Sequence, residues 1–192
     1  MQIANKLGRI SDSIFRAEAW LQKQNSPDYK SISLAKAQRK KEYEQLLSLS
    51  EDVNTIFWHL EFEPIDLINL ERRHLTKLCG GISVLANKQV LQLKNLNEIR
   101  EVLICLAVSH ATQTDTELVC LLLKAATRLG KIDDRLDSVV EFLISQQSHE
   151  GYYGRLSIEF FAATVESETQ MKILISLTME VISALSSVSL IR

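Results

Sequence analysis

Turn-forming residues are scarce in this chain, which contains 6 Gly and 2 Pro among its 192 residues. A fold of many short strands needs many tight turns, and Gly and Pro supply a large share of them. The scarcity therefore favours long helices joined by short connections, and we predict an all-α fold of antiparallel helical hairpins. The length suits one domain with a substantial core, so we expect residues 1–192 to form a single helical domain.

Apolar residues recur at three- and four-residue steps along most of the chain, as on one face of an amphipathic helix. In the first helix this stripe consists of Ile3, Leu7, Ile10, Ile14, Ala17 and Leu21, with Phe15 and Trp20 widening it. The pattern predicts helices over 3–24, 33–48, 96–110, 115–129, 133 or 134 to 147, 157–164 and 167–187, with further helix starts at Ser50 and Pro64. The paired residues Gly80 and Gly81 are expected to break or kink the helix that starts at Pro64.

Short polar motifs mark helix boundaries in the second half of the chain. Asn95 with Glu98, and Thr114 with Glu117, have the spacing of capping boxes or close variants. Gly130 is placed to end the helix after Thr114 in a left-handed cap. Helix starts near 96 and 115 are therefore predicted from two kinds of signal, periodicity and capping.

Two helices of the second half are apolar over most of their circumference, and each has one narrow polar stripe. The stripe of the helix after Thr114 consists of Glu117, Cys120, Lys124 and Arg128. The stripe of the last helix, the only face of it expected in water, consists of Lys172, Ser176, Glu180, Ser183 and Ser187. Helices of this kind contact several neighbours, so the half from about residue 95 is predicted to form the core, and the first half is more charged. A membrane span needs an uncharged run of ~20 residues, which Lys172 and Glu180 interrupt, so we expect none.

The segment from Val139 to Gly154 reads VVEFLISQQSHEGYYG. Its glutamines can satisfy unpaired groups at helix ends, Gly151 and Gly154 permit a sharp reversal, and an aromatic residue can pack over the neighbouring helix. Over about residues 115–165, the chain resembles the terpenoid cyclase and protein prenyltransferase α/α-toroid superfamily, whose helix-end motif is LLxxQxxDGxWG. A Tyr stands here in place of the family's usual Trp, and Glu150 in place of its Asp.

The resemblance implies an α/α-toroid, an incomplete one because the chain is short for about a dozen helices. It also suggests Gln147, Tyr152 and Tyr153 as ligand-binding residues. The zinc ligands of the family's prenyltransferases map onto no positions of this sequence.

Asp133-Asp134-Arg135-Leu136-Asp137 spells the DDxxD pattern of class I terpene synthases. On a helix, one of the first two carboxylates and Asp137 would share a face and could hold Mg²⁺ against a diphosphate. The simpler interpretation is that these acidic residues cap a helix N-terminus and complement its dipole. We favour the simpler interpretation and expect neither a metal nor a cofactor.

Other candidate chemistry is sparse. The four histidines lack zinc-ligand spacing, and they are His59, His74, His110 and His149. The cysteines are expected to be free, buried thiols in a reducing cytoplasm, and they are Cys79, Cys105 and Cys120. The net charge of -2 shows no basic excess, which argues against a nucleic-acid binder. We interpret the basic runs as solvated helix faces, and they are Arg39-Lys40-Lys41 and Arg72-Arg73-His74.

Two functional hypotheses follow. The first is a cytoplasmic accessory or binding protein, monomeric or homo-oligomeric, whose partner is a protein, a peptide or an apolar small molecule. By analogy with toroid-like proteins, bacterial biosynthetic pathways are a setting for it. The alternative is a Mg²⁺-dependent enzyme of isoprenoid or natural-product chemistry, in which Asp133, Asp134 and Asp137 hold the metal and Tyr152 or Tyr153 lines the pocket.

Overall fold

The structure is a computed structural model that describes residues 2–24, 68, 71–84, 95–130, 134–154 and 167–189. Six helices lie in these ranges: α1 (Gln2–Gln24), α2 (Arg72–Val84), α3 (Leu96–Thr112), α4 (Thr116–Arg128), α5 (Leu136–Ser145) and α6 (Ser167–Ser189). These ranges contain no β-strand, so the all-α prediction is confirmed for them. The helices predicted over 33–48 and 157–164, and the starts predicted at Ser50 and Pro64, lie outside the described residues.

α4 lies at the centre of the described core, because it packs against α2, α3, α5 and α6. It forms a helical hairpin with α3, to which a three-residue connection joins it. Its fully buried residues include Val119, Cys120, Leu122, Leu123 and Ala125. Contact on many sides explains why apolar residues cover most of its circumference.

The last helix is part of the core, as its composition predicts. α6 buries Ile175, Val181, Ala184, Leu185 and Val188 completely. It packs mainly against α1 and α4. By length and composition alone, Gln170–Ser189 is apolar enough to cross a membrane despite Lys172 and Glu180. Core helices of soluble proteins have the same composition.

Glu180 and Ser187 of the α6 stripe face α4, whereas Ser183 is exposed, so the prediction that the whole stripe faces water is wrong. The Lys124 ammonium pairs with the Glu180 carboxylate, and both side chains are 17% exposed. The Thr127 hydroxyl donates a hydrogen bond to Ser187 Oγ at 3.2 Å. Ile173, an apolar residue of α6, is 43% exposed.

The caps of α3 and α4 differ from the predicted capping boxes. Asn95 precedes α3 in a left-handed conformation, with a φ of 51°, and its side chain makes no capping hydrogen bond. Asp115, not Thr114, caps α4 by accepting a hydrogen bond from the Leu118 backbone N–H. Thr114 instead has a φ of 63° in the turn. The predicted starts of α3 and α4 are confirmed, but the predicted capping interactions are wrong.

Three glycines also behave differently from the sequence prediction. α2 runs without a break from Arg72 to Val84, through Gly80 and Gly81. Gly81 is buried there. Gly130 has no positive φ, so the predicted left-handed cap is absent at that position. Burial against the other helices keeps α2 helical where the intrinsic propensity of glycine is low.

Candidate functional site

The predicted reversal after α5 is present as a tight turn over residues 146–154, called here the 146–154 turn. Gly151 and Gly154 have φ values of 109° and 118°, which glycine adopts without strain. Gln147 and Tyr153 form an antiparallel bridge, and the Ser148 N–H donates to the Tyr152 carbonyl at 2.8 Å. The turn also lies directly against α1, since a Cβ on Gly151 would be 2.6 Å from the Arg16 carbonyl oxygen.

The side-chain amide of Gln147 joins this turn to α1. Its Oε1 accepts a hydrogen bond from the Ser13 hydroxyl at 2.9 Å. Its Nε2 donates to the Ser13 carbonyl at 2.7 Å and to the Gly151 carbonyl at 2.9 Å. Both donors of the amide and its oxygen therefore have protein partners.

Tyr153 is fully buried, and both its phenol group and its backbone N–H make hydrogen bonds. Its phenol oxygen lies 2.6 Å from Ser13 Oγ, and its backbone N–H donates to Thr178 Oγ1 on α6 at 3.0 Å. Burial raises the pKa of Tyr153 to about 12, although the hydrogen bond with Ser13 acts in the opposite direction. The phenol is therefore neutral over the physiological pH range.

Tyr152 faces away from this buried cluster. Its ring lies against Trp20 of α1, with centroids 5.4 Å apart and an interplanar angle of 53°. The side chain is half-buried, whereas Trp20 is buried. The structure thus brings Gln147, Tyr152 and Tyr153 together, but the polar groups of Gln147 and Tyr153 contact protein atoms. Their role in ligand binding stays a prediction.

An open cleft lies between α1 and α5, next to the turn. Its volume is about 490 Å³, and it is lined by Arg9, Asp12, Phe15, Arg16 and Ile144; it is called here the α1–α5 cleft. Arg9 closes one end by pairing with Glu141 of α5, with nitrogen–oxygen distances of 2.9 and 2.8 Å. The cleft therefore combines an apolar wall with charged groups of both signs.

Among the described residues, Phe15 is the most exposed large apolar side chain, at 72% exposure. The sequence pattern placed it in the buried stripe of the first helix, and that prediction is wrong. Phe15 follows Ile14 directly, and one residue turns a helix by about 100°, which carries the ring out of the stripe. Ser13, in contrast, is buried because it lies on the stripe between Ile10 and Ala17. Reading Ser13 as a stripe position would have revealed the buried hydroxyl.

Asp12 and Arg16 flank Phe15 and are both exposed. They are four residues apart on a helix, a spacing at which opposite charges can pair. Neither makes a hydrogen bond or an ion pair with any residue in the described ranges. Within the described part of the chain, the cleft thus holds one carboxylate and one guanidinium that pair with no other residue.

The aspartate pattern is only partly within the described ranges. Asp133 lies outside them, Asp134 is exposed, and Asp137 lies in the first turn of α5. α5 begins at Leu136, two residues later than predicted from Asp134, and Asp134 contributes its carbonyl to the Asp137 N–H rather than a side-chain cap. Among the residues described, no three His, Cys, Asp or Glu side chains come together as a metal site. The Mg²⁺ hypothesis stays a prediction.

Arg72 stabilises the fold through ion pairs with two acidic residues. It donates two hydrogen bonds to Asp115, both at 3.0 Å, and one to Glu117 at 3.0 Å. Burial alone would raise the pKa of Asp115, but hydrogen bonds from Arg72 and the Leu118 N–H lower it below its usual value. The guanidinium thereby ties the start of α2 to the α3–α4 turn.

The three cysteines form no disulfide, but the expectation that all of them are buried is wrong. Cys79 and Cys120 are buried, whereas Cys105 is exposed on α3. Burial raises the pKa of Cys79 to about 12, so its thiol stays protonated and unreactive at neutral pH. Cys105 faces outward because α3 is covered by α4 and α5 on its other sides.

Comparison with known protein families, curated proteins and solved structures finds no match for this chain. Function is therefore inferred from the geometry of two neighbouring features, the 146–154 turn and the α1–α5 cleft.

Proposed function

We propose that this chain is a binding protein that recognises a segment of a protein partner in the α1–α5 cleft. The observation that carries the proposal is the 72% exposure of Phe15 between Asp12 and Arg16, which pair with no other residue that the structure describes. Covering an exposed aromatic ring removes its apolar surface from water, and this contributes about 25 cal/mol of favourable free energy per Å² buried. Aromatic and Arg side chains are also the residues that contribute most at protein interfaces.

The surroundings of the cleft support this proposal because they hold its two walls in place. Arg9 and Glu141 connect α1 to α5 at one end. Ser13 and Gln147 connect α1 to the 146–154 turn, which directly follows α5. A pre-ordered cleft loses less conformational entropy when a partner binds, which favours affinity.

A protein segment fits the cleft better than an apolar small molecule does. Small-molecule sites bury most of their ligand within mainly apolar walls. Here Arg9, Asp12 and Arg16 contribute charges to an open cleft, and Phe15 projects towards solvent. Such a mixture of an apolar anchor and charged neighbours is typical of a protein–protein surface.

The likeness of residues 139–154 to the toroid helix-end motif belongs to the same proposal. What supports it is local: the two left-handed glycines and the packing of Tyr152 over Trp20 on a neighbouring helix. In this view the motif shapes the turn, and the turn holds α1 beside α5. An accessory role in a biosynthetic pathway extends the proposal by analogy.

Photo-crosslinking at the cleft tests the proposal. A Phe15→p-benzoylphenylalanine variant of the full chain is irradiated in the cells that produce it. The matched control carries the same residue at Ile173, which is 43% exposed on α6. We expect one protein adduct of discrete mass from position 15 that is weak or missing from position 173. Arg16→Asp, added to the position 15 variant, should remove the adduct. Equal crosslinking from both positions would overturn the proposal.

A further inference from the structure

The charges beside Phe15 are complementary to themselves. Asp12 and Arg16 lie one helical turn apart, are exposed, and pair with no other residue in the described ranges. When two such helices run antiparallel about a twofold axis near position 14, Asp12 of each copy faces Arg16 of the other. A twofold interface always repeats each contact in this way, so one pair of residues provides two ion pairs.

We propose that the partner in the α1–α5 cleft is a second copy of this chain, bound through antiparallel contact of the two α1 helices. This inference rests on the proposed function of the cleft. In the dimer, each Arg16 pairs with the Asp12 carboxylate of the other copy. Each Phe15 ring lies near the axis, against the apolar wall that Ile144 provides in the opposite cleft.

The charge balance of the cleft favours this occupant. Arg9 and Glu141 neutralise each other, and Asp12 and Arg16 contribute one charge of each sign, so the four residues sum to zero. A strongly acidic or basic segment therefore gains little attraction. A surface with the same alternation of charges pairs every group, whereas a parallel register sets like charges together.

The exposed face of α1 is long enough for such a contact. From Leu7 to Gln24 it extends about 27 Å at the rise of an α-helix. Phe15 lies near its middle, where a desolvated aromatic contributes most to an interface, and the charged residues flank it. The position of these groups matches an apolar centre with a polar rim.

Charge reversal tests the dimer by sedimentation velocity of the purified full chain. We expect the unaltered chain to dimerise with rising concentration. Asp12→Arg and Arg16→Asp should each weaken self-association by about tenfold to a hundredfold, since each sets like charges opposite one another twice. An equimolar mixture of the two variants should associate again, because positive charges of one then face negative charges of the other. The double variant should also dimerise.

Both positions are exposed, so each single variant should keep the helical circular dichroism and the melting temperature of the monomer. A chain that stays monomeric at every concentration overturns the inference, and so does a dimer that neither reversal weakens. Crosslinking from position 15 separates the two proposals. An adduct of two copies of this chain supports both, an adduct with a different protein supports the binding function alone, and no specific adduct contradicts both.

Discussion

The Ser13 hydroxyl lies 2.6 Å from the phenol oxygen of Tyr153, although 140 residues separate them in the chain. Both residues are fully buried, so water cannot replace this hydrogen bond. The same hydroxyl donates to Gln147, which returns a hydrogen bond to the Ser13 carbonyl. One serine therefore fixes the 146–154 turn against α1 and sets the position of the cleft next to it.

Removing this hydroxyl should destabilise the protein. We expect Ser13→Ala to lower the free energy of unfolding by about 1–3 kcal/mol, because Tyr153 and Gln147 lose a partner in a buried site. Ser11→Ala, at an exposed position of the same helix, should change it by about 0.5 kcal/mol or less. Urea denaturation measures both values. A loss in Ser13→Ala no larger than in Ser11→Ala would show that the cluster contributes little.

In this region the sequence predicts contacts between residues that are close together in the chain, but not contacts between residues that are far apart in it. The reversal at Gly151 and Gly154 and the aromatic packing were predicted correctly, because a few adjacent residues determine a turn. The partner of Gln147 was not predicted, since no local pattern links Ser13 to a residue 134 positions away. The exposure of Phe15 was missed for a similar reason, because periodicity defines a buried stripe but not its edges.

Gly151 should tolerate a side chain far less well than Gly8. Gly151→Ala combines a left-handed φ of 109° with a Cβ placed 2.6 Å from the Arg16 carbonyl oxygen, so α1 or the turn must move. We expect a loss of about 2 kcal/mol or more in thermal or urea unfolding. A Cβ at Gly8 meets nothing within 4 Å, and Gly8→Ala should stabilise the helix by about 0.5–1 kcal/mol. Equal changes in the free energy of unfolding at both positions would contradict the close contact between the 146–154 turn and α1.

The Arg72–Asp115 ion pair should make stability depend on pH in acid. The pKa of Asp115 is lower in the folded protein than its usual value near 3.9, so its contribution is present above about pH 4 and is lost as the pH falls further. Asp115→Asn keeps a good helix cap but removes the ion pair. We expect it to cost about 1 kcal/mol at pH 7, and the difference from the unaltered chain to shrink below about pH 4. Arg72→Gln should show the same trend in urea unfolding, and a difference independent of pH would contradict it.

The aspartate pattern can be tested without knowing a substrate. We expect Asp133→Asn with Asp134→Asn to lower the free energy of unfolding by at most about 1 kcal/mol, because Asp134 is exposed and Asn keeps the size and polarity of both side chains. Mg²⁺ with a prenyl diphosphate should leave the melting temperature of the unaltered chain unchanged. A ligand-dependent rise that the double variant abolishes would instead support the enzyme hypothesis, since specific binding stabilises the folded state.

The polar stripes show where sequence patterns give the correct residues but the wrong environment. The spacing of Lys124 and Glu180 correctly placed each on the polar side of its own helix. A narrow polar stripe that faces water, however, has the same sequence pattern as one that faces a neighbouring helix. The ion pair between helices is a tertiary contact, which periodicity within one helix does not contain.

The Lys124–Glu180 pair should be far more sensitive to the loss of one partner than to the loss of both. Each side chain is only 17% exposed, so Lys124→Met leaves a carboxylate in a poorly solvated interface. We expect each single change to Met to lower the free energy of unfolding by about 2 kcal/mol or more. The double change removes both members of the pair and fills the space with apolar side chains of similar length, so stability should return close to its original value. The exposed Arg9–Glu141 pair provides the control, where Glu141→Gln should cost about 1 kcal/mol or less. Urea denaturation measures the free energy of unfolding of the unaltered chain, the two single variants, the double variant and the control. If the loss of stability in the double variant equals the sum of the two single losses, the pair is not coupled.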